Sequence, residues 1–409
     1  MKGLLFLLLF GLLVQPQTPV IFVHGNGDDA TKWIPVIWLF ESNGYPASRL
    51  YSIRMTDPAA RREDSKPEAF RSSTIDQASE LSAFVTRVLL ETKAKKVALV
   101  GSSRGGMTIR NYLKNVGGAA VVSHAVLCGT PNHGVMATDT NLDMEFNGKG
   151  HFLRQLNEGS EVVDGVRFLT IRSDKNDKYA QPNIGYDGPE LKGAENVVLP
   201  GLDHREVAFH PLAFAETFRF ITGEQPKHLK PVAEAMPKLS GLVTAVAGLA
   251  ATNRPLSGVK LTVFALKPGT AERDGEAGYS VSTNETGAWG PLVVHPNANY
   301  EFRLERDGRV VSYFMSGLAR STALLNFRFV PGSAKGLTIH RPQGYLSKGR
   351  DPVTIDGKLV EELTEGIPTR DSVTVAVRGG VKASLRGEAV HARAAGSDNE
   401  TNIVELIWD

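Results

Sequence analysis

Residues 97–113, VALVGSSRGGMTIRNYL, contain two adjacent serines in a glycine-flanked turn. A Gly-x-Ser-x-Gly pattern between a predicted strand and a predicted helix is typical of a nucleophile elbow, a sharp turn that exposes a serine hydroxyl. Gly101 and Gly105 stand two residues before and two after Ser103, so this spacing predicts Ser103 as the nucleophile and Ser102 as a small spacer. The alternative is a helix N-terminus capped by a serine.

A serine that attacks a carbonyl needs donors for the oxyanion that develops. FVHGNGDD (22–29) ends the first predicted strand in a tight turn, and we expect the backbone N–H of Asn26 to be one donor. The backbone N–H of Arg104, directly after Ser103, would be the other. His24 is predicted to be a structural, hydrogen-bonded histidine rather than the base, and it is placed among the residues near the substrate pocket.

The general base is expected later in the chain, because elbows of this type are followed by an acid and then by a histidine. In LPGLDHREVAFHP, His204 lies on a loop after a short predicted strand and is preferred. His210, which precedes a proline at a predicted helix start, is the alternative. His133 comes before any acid candidate, so we do not expect it to take part.

The acid is predicted in FLTIRSDKNDKYAQP (168–182), which begins as a strand. Asp174 follows that strand directly, whereas Asp177 lies a few residues into the loop. We favour Asp177 and keep Asp174 as the alternative. The carboxylate would orient His204 and stabilise its imidazolium without taking the proton itself.

The elements that position these residues alternate between strands and helices over residues 18–223. Such alternation predicts an α/β class domain with a mostly parallel sheet and helices on both faces. The clearest strands are predicted at 19–25, 96–101, 123–130 and 166–173, and the clearest helices at 74–94 and in the segment after the elbow.

Beyond a proline-rich predicted linker at 224–237, residues 238–409 change to short alternating strands. Asp307-Gly308 and Asp356-Gly357 stand between alternating runs and predict two hairpins. This part is predicted to be all-β, a sandwich or a barrel, with a sub-boundary near 331–336 if it contains two modules.

Five motifs, in order, resemble bacterial and archaeal lipases and esterases of the α/β-hydrolase fold: VIFVHGNG, LVGSSRGG, LCGTPNHGV, SDKNDKYAQP and GLDHREVAFHP. The resemblance spans residues 18–222 and implies a serine ester hydrolase acting on lipid or fatty-acyl esters. Some lipases of this group carry a β-rich C-terminal domain implicated in holding lipid, and residues 238–409 are similar in layout. Arg104 departs from the histidine, glutamine or methionine that such lipases more often carry; pairing with a nearby carboxylate is one interpretation.

Two segments are candidates for a lid over the pocket. Residues 54–74 are strongly charged, so they would form a polar lid. Residues 136–165 contain Met144, Phe146 and Phe152, which we expect to line the acyl or alcohol pocket. The alternative is a surface excursion with a small core of its own.

Composition and the N-terminal residues limit the partners, cofactors and location that we expect. With 46 basic and 44 acidic residues, the chain gives no reason to expect a nucleic acid partner. Cys128 is the only cysteine and is expected to be a small buried hydrophobic residue; no metal-ligand cluster or cofactor is predicted. The apolar residues 3–14 have the length of a secretory signal, with an uncleaved anchor as the alternative.

Three functional hypotheses remain. The leading one is a secreted lipase or carboxylesterase that forms an acyl-enzyme. The enzymatic alternative is a polyester depolymerase, in which the β-rich part would anchor to a solid polymer. The non-enzymatic alternative is an extracellular binding or adhesion protein that has kept an inert hydrolase domain. Peptidase and thioesterase chemistry share the fold and stay open.

Overall fold

The computed structural model describes residues 17–179, 188–248, 250–330, 332 and 336–407. The N-terminal segment interpreted as a signal or anchor lies almost wholly outside these residues. Among the described helices, none has the length and apolar character needed to cross a membrane.

The first half is a six-stranded, all-parallel sheet with helices on both faces, which confirms the predicted α/β class. The sheet order is β2-β1-β3-β4-β5-β6. Its elements are β1 (Val20–Val23), α1 (Ile34–Ser42), β2 (Leu50–Ser52), α2 (Thr74–Thr92), β3 (Val97–Ser102), α3 (Arg104–Asn115), β4 (Val122–Cys128), α4 (His151–Asn157), β5 (Arg167–Arg172), β6 (Glu195–Val198), α5 (Glu206–Phe209) and α6 (Pro211–Thr222), with short 3-10 helices at Ala30–Trp33, Ala47–Arg49 and Gly118–Val121.

Local sequence explains the main elements of this half. The four residues of β1 and the six of β3 are all buried, as strands covered on both faces require. Helix α2 begins with a capping box between Ser73 and Asp76, and it buries Leu81, Val85 and Val88 at helical spacing. In the core under α1 and α6, burial raises the pKa of the Cys128 thiol to about 12, which fits the predicted inert cysteine.

Parallel strands place the loops that follow them at one edge of the sheet. The loop after β1 carries Asn26, and the turn after β3 carries Ser103. The loops after β5 and β6 carry Asp177 and His204. The topology therefore gathers all four segments at the carboxyl edge.

The second half is built of strands, as predicted. They are β7 (Lys238–Ala247), β8 (Ala250–Pro255), β9 (Lys260–Ala265), β10 (Tyr279–Ser282), β11 (Ala288–Val293), β12 (Tyr300–Arg306), β13 (Arg309–Met315), β14 (Phe327–Arg328), β15 (Leu337–His340), β16 (Val353–Ile355), β17 (Lys358–Leu359), β18 (Ser372–Val375), β19 (Gly380–Leu385), β20 (Glu388–Arg393) and β21 (Glu400–Glu405). They form a seven-stranded sheet, β10-β9-β12-β13-β21-β15-β18, and two smaller ones, β11-β7-β14 with β8 beside β7, and β17-β16-β19-β20.

The two predicted hairpins are present. Asp307 and Gly308 connect β12 to β13, and Asp356 and Gly357 connect β16 to β17; all four residues have positive φ, as a type I′ turn requires. The seven-stranded sheet takes strands from both sides of 331–336, because β21 pairs in parallel with both β13 and β15. One sheet therefore combines strands from before and after the considered sub-boundary.

The two halves share a hydrophobic core. Ile34 and Trp38 of α1 pack among side chains of the second half, including Leu325. Trp38 Nε1 also donates to the carbonyl oxygen of Ser321 at 3.0 Å. In the segment expected to be a linker, the amides of Lys227 and His228 donate to Asn43, so this segment is bound to the end of α1.

Candidate active site

The turn between β3 and α3 holds Ser103 in an unusual backbone conformation, with φ 52° and ψ −118°. A Cβ on Gly101 would lie 2.6 Å from the amide nitrogen of Gly106, and one on Gly105 would lie 2.4 Å from the carbonyl oxygen of Val23. Larger residues would collide with backbone at both positions. The steric argument that selected Ser103 over Ser102 therefore matches the geometry of this turn.

Ser103, His204 and Asp177 form a hydrogen-bonded chain. His204 Nε2 lies 3.0 Å from Ser103 Oγ, and His204 Nδ1 lies 3.0 and 3.1 Å from the two carboxylate oxygens of Asp177. Asp177 and the His204 ring are buried, and the Tyr179 ring packs nearly perpendicular to the His204 ring, with 4.5 Å between the centroids. This arrangement can accept a proton from the serine hydroxyl and stabilise the imidazolium that results.

The alternative acid makes different contacts. Asp174 Oδ1 accepts hydrogen bonds from the backbone amides of Asn176 and Gly201. Burial opposes ionisation of Asp174, but these amides outweigh it and lower the pKa of the carboxyl. Asp174 thus ties the loop after β5 to the loop that carries His204.

The other histidines considered have structural partners. His210 Nδ1 accepts from the amide of Leu212 and caps α6. His133 Nε2 lies 2.9 Å from a carboxylate oxygen of Glu161.

His24 is buried, with a relative exposure of 1%, so it offers a substrate almost no surface. Its Nδ1 donates to the carbonyl oxygen of Gly25, and its Nε2 accepts from the amide of Met55. Burial lowers the pKa of the imidazole, which favours this neutral, doubly bonded ring. These contacts match the predicted structural role.

The two amides expected to bind an oxyanion flank the serine. Arg104 is the first residue of α3, and the first amides of a helix have no acceptor within the helix. A Cβ on Gly25 would lie 3.4 Å from Ser103 Cβ, so the loop with Asn26 passes directly beside the elbow. The Asn26 side-chain oxygen accepts from the amide of Ala60 at 2.8 Å and fixes this loop.

The Arg104 side chain is buried and points away from solvent. It forms a bidentate pair with Glu145, at 2.5 and 2.7 Å, and donates to the carbonyl oxygens of Pro58 and Ser72. Burial raises the pKa of the Glu145 carboxyl, and the Arg104 charge opposes that rise. Arg104 therefore joins the start of α3 to both segments considered as lids, which agrees with the pairing interpretation.

The segment 136–165 has a small core of its own. Leu153 and Leu156 of α4 pack on Met107 of α3, with Phe146 and Phe152 partly buried against them. Met144 is half-buried in the turn that also carries Glu145. The described contacts of the two phenylalanines thus match the alternative of a separate small core, while the predicted pocket-lining role stays a prediction.

Sequence reasoning missed two groups of residues around this site. One is Glu145, the buried partner of Arg104. The other is the pair Asp203 and Glu206, which flank His204 and are both buried. The Asp-x-x-Glu spacing around the histidine was a signal that could have drawn attention to the second group.

Two segments of the chain match known protein families. Residues 17–213 match the family described as lipase (class 2), and residues 237–330 match the family described as lipase C-terminal domain. The first segment is therefore similar to a family of lipases, and the second is similar to a domain family found in lipases.

Three solved structures illustrate the similarity. Aspergillus fumigatus lipase B is 18% identical with a TM-score of 0.41; the match covers 52% of this chain and 54% of that one. Bacillus licheniformis lipase BlEst2 in mature form is 16% identical with a TM-score of 0.38, covering 51% and 93%. Bacillus subtilis carboxylesterase CesB is 14% identical with a TM-score of 0.32, covering 51% and 85%. This chain thus spans about half the length of the fungal lipase.

Replacing Glu145 with glutamine tests the buried ion pair. Glu145→Gln keeps the shape of the side chain but leaves the Arg104 charge buried without a counter-charge, so the free energy of unfolding should fall by about 3 kcal/mol. Chemical denaturation measures this value. The control is Glu63→Gln, which removes the exposed partner of Lys66 and should leave stability unchanged. Equal effects of the two substitutions would contradict a structural role for the buried pair.

Proposed function

We propose that this chain is a serine ester hydrolase of lipid or fatty-acyl esters, with Ser103 as nucleophile, His204 as general base and Asp177 as the orienting acid. The observation that carries the proposal is the continuous hydrogen-bonded chain from Ser103 Oγ through both nitrogens of His204 to Asp177. The position of Ser103 directly before α3, inside the segment that matches the class 2 lipase family, supports the same chemistry.

In the first half-reaction, Ser103 Oγ attacks the ester carbonyl carbon while His204 Nε2 takes the hydroxyl proton. The negative charge moves to the carbonyl oxygen, where the backbone amides of Asn26 and Arg104 would donate hydrogen bonds. Asp177 stabilises the imidazolium formed at His204. The tetrahedral intermediate then collapses, His204 returns the proton to the leaving alcohol, and an acyl-enzyme remains on Ser103.

In the second half-reaction, water replaces the alcohol. His204 takes a proton from the water as it attacks the acyl carbon, the same two amides bind the oxyanion, and the carboxylic acid is released as the proton returns to Ser103 Oγ.

We also propose that the protein is exported, because twelve apolar residues follow Lys2 near the N-terminus. Export would give the enzyme access to extracellular lipid. A polyester depolymerase is the competing enzymatic hypothesis, and a chain-length series of soluble esters alongside an insoluble polyester separates the two.

Ser103→Ala should lower kcat on p-nitrophenyl esters by about 10⁴-fold or more, because no other group replaces the nucleophile. Ser102→Ala is the matched control: it changes the neighbouring serine in the same turn and should keep activity of the wild-type order. A fluorophosphonate probe should label wild type and Ser102→Ala, but not Ser103→Ala. Equal slow hydrolysis by wild type and Ser103→Ala, with no labelling, would support the inert binding protein instead.

Asp177→Asn should lower kcat by about 10⁴-fold, since an amide holds the imidazole in the wrong tautomer. Asp174→Asn is its control, because Asp174 bonds to backbone amides rather than to His204. Steady-state kinetics on a short soluble ester measure both effects, with thermal unfolding as the check on folding. If kcat fell more in Asp174→Asn than in Asp177→Asn, Asp174 rather than Asp177 would be the orienting acid.

A further inference from the structure

The turn that carries His204 is fixed by two carboxylates, one on each side of the histidine. Asp203 Oδ1 accepts from the amides of Arg205 and Glu206, at 2.7 and 2.9 Å. In return, Glu206 Oε2 accepts from the amide of Asp203 at 2.8 Å. This reciprocal pattern is that of a capping box, so the backbone on both sides of His204 depends on where these two carboxylates are held.

Arginines from the second half of the chain hold both carboxylates. Arg341 Nη2 lies 2.6 Å from Glu206 Oε1. Arg350 Nη2 lies 3.0 Å from Asp203 Oδ2 and 2.5 Å from Glu206 Oε2. The amide of Tyr345 also donates to Asp203 Oδ2, at 2.6 Å.

The group is balanced in charge. Asp351, itself fully buried, pairs with Arg341, Arg350 and Arg386, and Arg386 also contacts Glu206. Among the residues that the structure describes, the guanidinium groups of Arg341, Arg350 and Arg386 therefore face the carboxylates of Asp203, Glu206 and Asp351, and buried charges require such pairing. Burial opposes ionisation of Glu206, yet Arg341 and Arg350 hold its pKa down to about 2.

The same half of the chain contacts the other site loops. Arg205, directly after His204, lies 2.9 Å from Asp371 of the second half and 3.3 Å from Asp28 of the loop after β1. Lys178, directly after Asp177, donates to the carbonyl oxygen of Thr369 at 3.1 Å. Residues of the second half thus bind the loops that carry His204 and Asp177 directly. They bind the loop that carries Asn26 through Arg205.

We propose that the second half of the chain positions the catalytic histidine: Arg341 and Arg350 hold Asp203 and Glu206, and through them keep the His204 imidazole against Ser103. This inference rests on the proposed function and deepens it. It assigns a role to residues 336–407, which lie beyond both family matches. Arg341 and Arg350 are positioning residues, because they act on the substrate only through His204.

Arg350→Ala in the full chain tests the proposal, since it removes contacts to both carboxylates from a partly exposed position. The matched control is Arg320→Ala, another arginine between the halves with similar exposure, which pairs with Glu41 of α1 at 2.8 Å. Arg350→Lys retains the cation and serves as the conservative variant. For each protein, thermal unfolding, kcat and KM on a short soluble ester, and the ¹⁵N-histidine NMR spectrum are measured.

We expect kcat of Arg350→Ala to fall between about ten-fold and a hundred-fold, because a displaced imidazole slows proton transfer, while KM changes little. The kcat of Arg350→Lys should lie between those of Arg350→Ala and wild type. The kcat of Arg320→Ala should equal that of wild type, even if this variant unfolds at a lower temperature. The Nδ1–H resonance of His204, assigned by its absence in His204→Gln, should shift or broaden in Arg350→Ala alone.

An unchanged kcat and an unchanged His204 resonance in Arg350→Ala would overturn the proposal. A loss of kcat in Arg320→Ala as large as that in Arg350→Ala would also overturn it. Failure of the proposed function has a different signature, in which wild type neither cleaves esters nor reacts with a fluorophosphonate. In that case the His204 resonance still decides whether Arg350 positions the imidazole.

Discussion

The site depends on the left-handed backbone of Ser103. A positive φ at a residue with a side chain costs about 1–3 kcal/mol and persists only where the surrounding structure fixes it. Here β3 ends one residue before the serine and α3 begins one residue after it, and glycines let α3 pass within van der Waals contact of β1 and β3. The same close approach brings the loop with Asn26 beside the hydroxyl.

Buried ion pairs hold the segments around the elbow and the turn that carries His204. The Arg104–Glu145 pair ties α3 to the two segments around the site, and the arginines of the second half bind the turn with His204. Buried ion pairs contribute little net stability compared with apolar packing, but removing one partner is costly. Such pairs therefore favour one arrangement of the loops over others. Through these contacts the second half forms part of the scaffold around His204, in addition to any contact it makes with substrate.

Local patterns explain what could be predicted from sequence. The elbow, the two Asp-Gly hairpins and helix α2 each depend on residues a few positions apart, and all are found where expected. The alternating segment TALLNFRFV at 322–330 predicts a longer strand than the structure contains, since only Phe327–Arg328 of it forms a regular strand. A Cβ on Gly241 of β7 would lie 1.9 Å from the carbonyl oxygen of Leu325, so the two backbones approach each other closely here.

Long-range contacts explain what sequence could not provide. The choice between Asp177 and Asp174 depends on how the loops after β5 and β6 fold over each other, which no local motif encodes. Arg341 and Glu206 are 135 positions apart in the chain. Burial of Arg104 likewise depends on a glutamate 41 positions away.

The roles of Ser103 as nucleophile and of the Asn26 and Arg104 amides as oxyanion donors are tested directly by a crystal structure of the wild-type protein after reaction with an alkyl fluorophosphonate. We expect phosphorus bonded to Ser103 Oγ, and a phosphonyl oxygen within hydrogen-bonding distance of the backbone nitrogens of Asn26 and Arg104. His204 Nε2 should remain beside the ester oxygens. An adduct on Ser102, or a phosphonyl oxygen directed away from both amides, would contradict these roles.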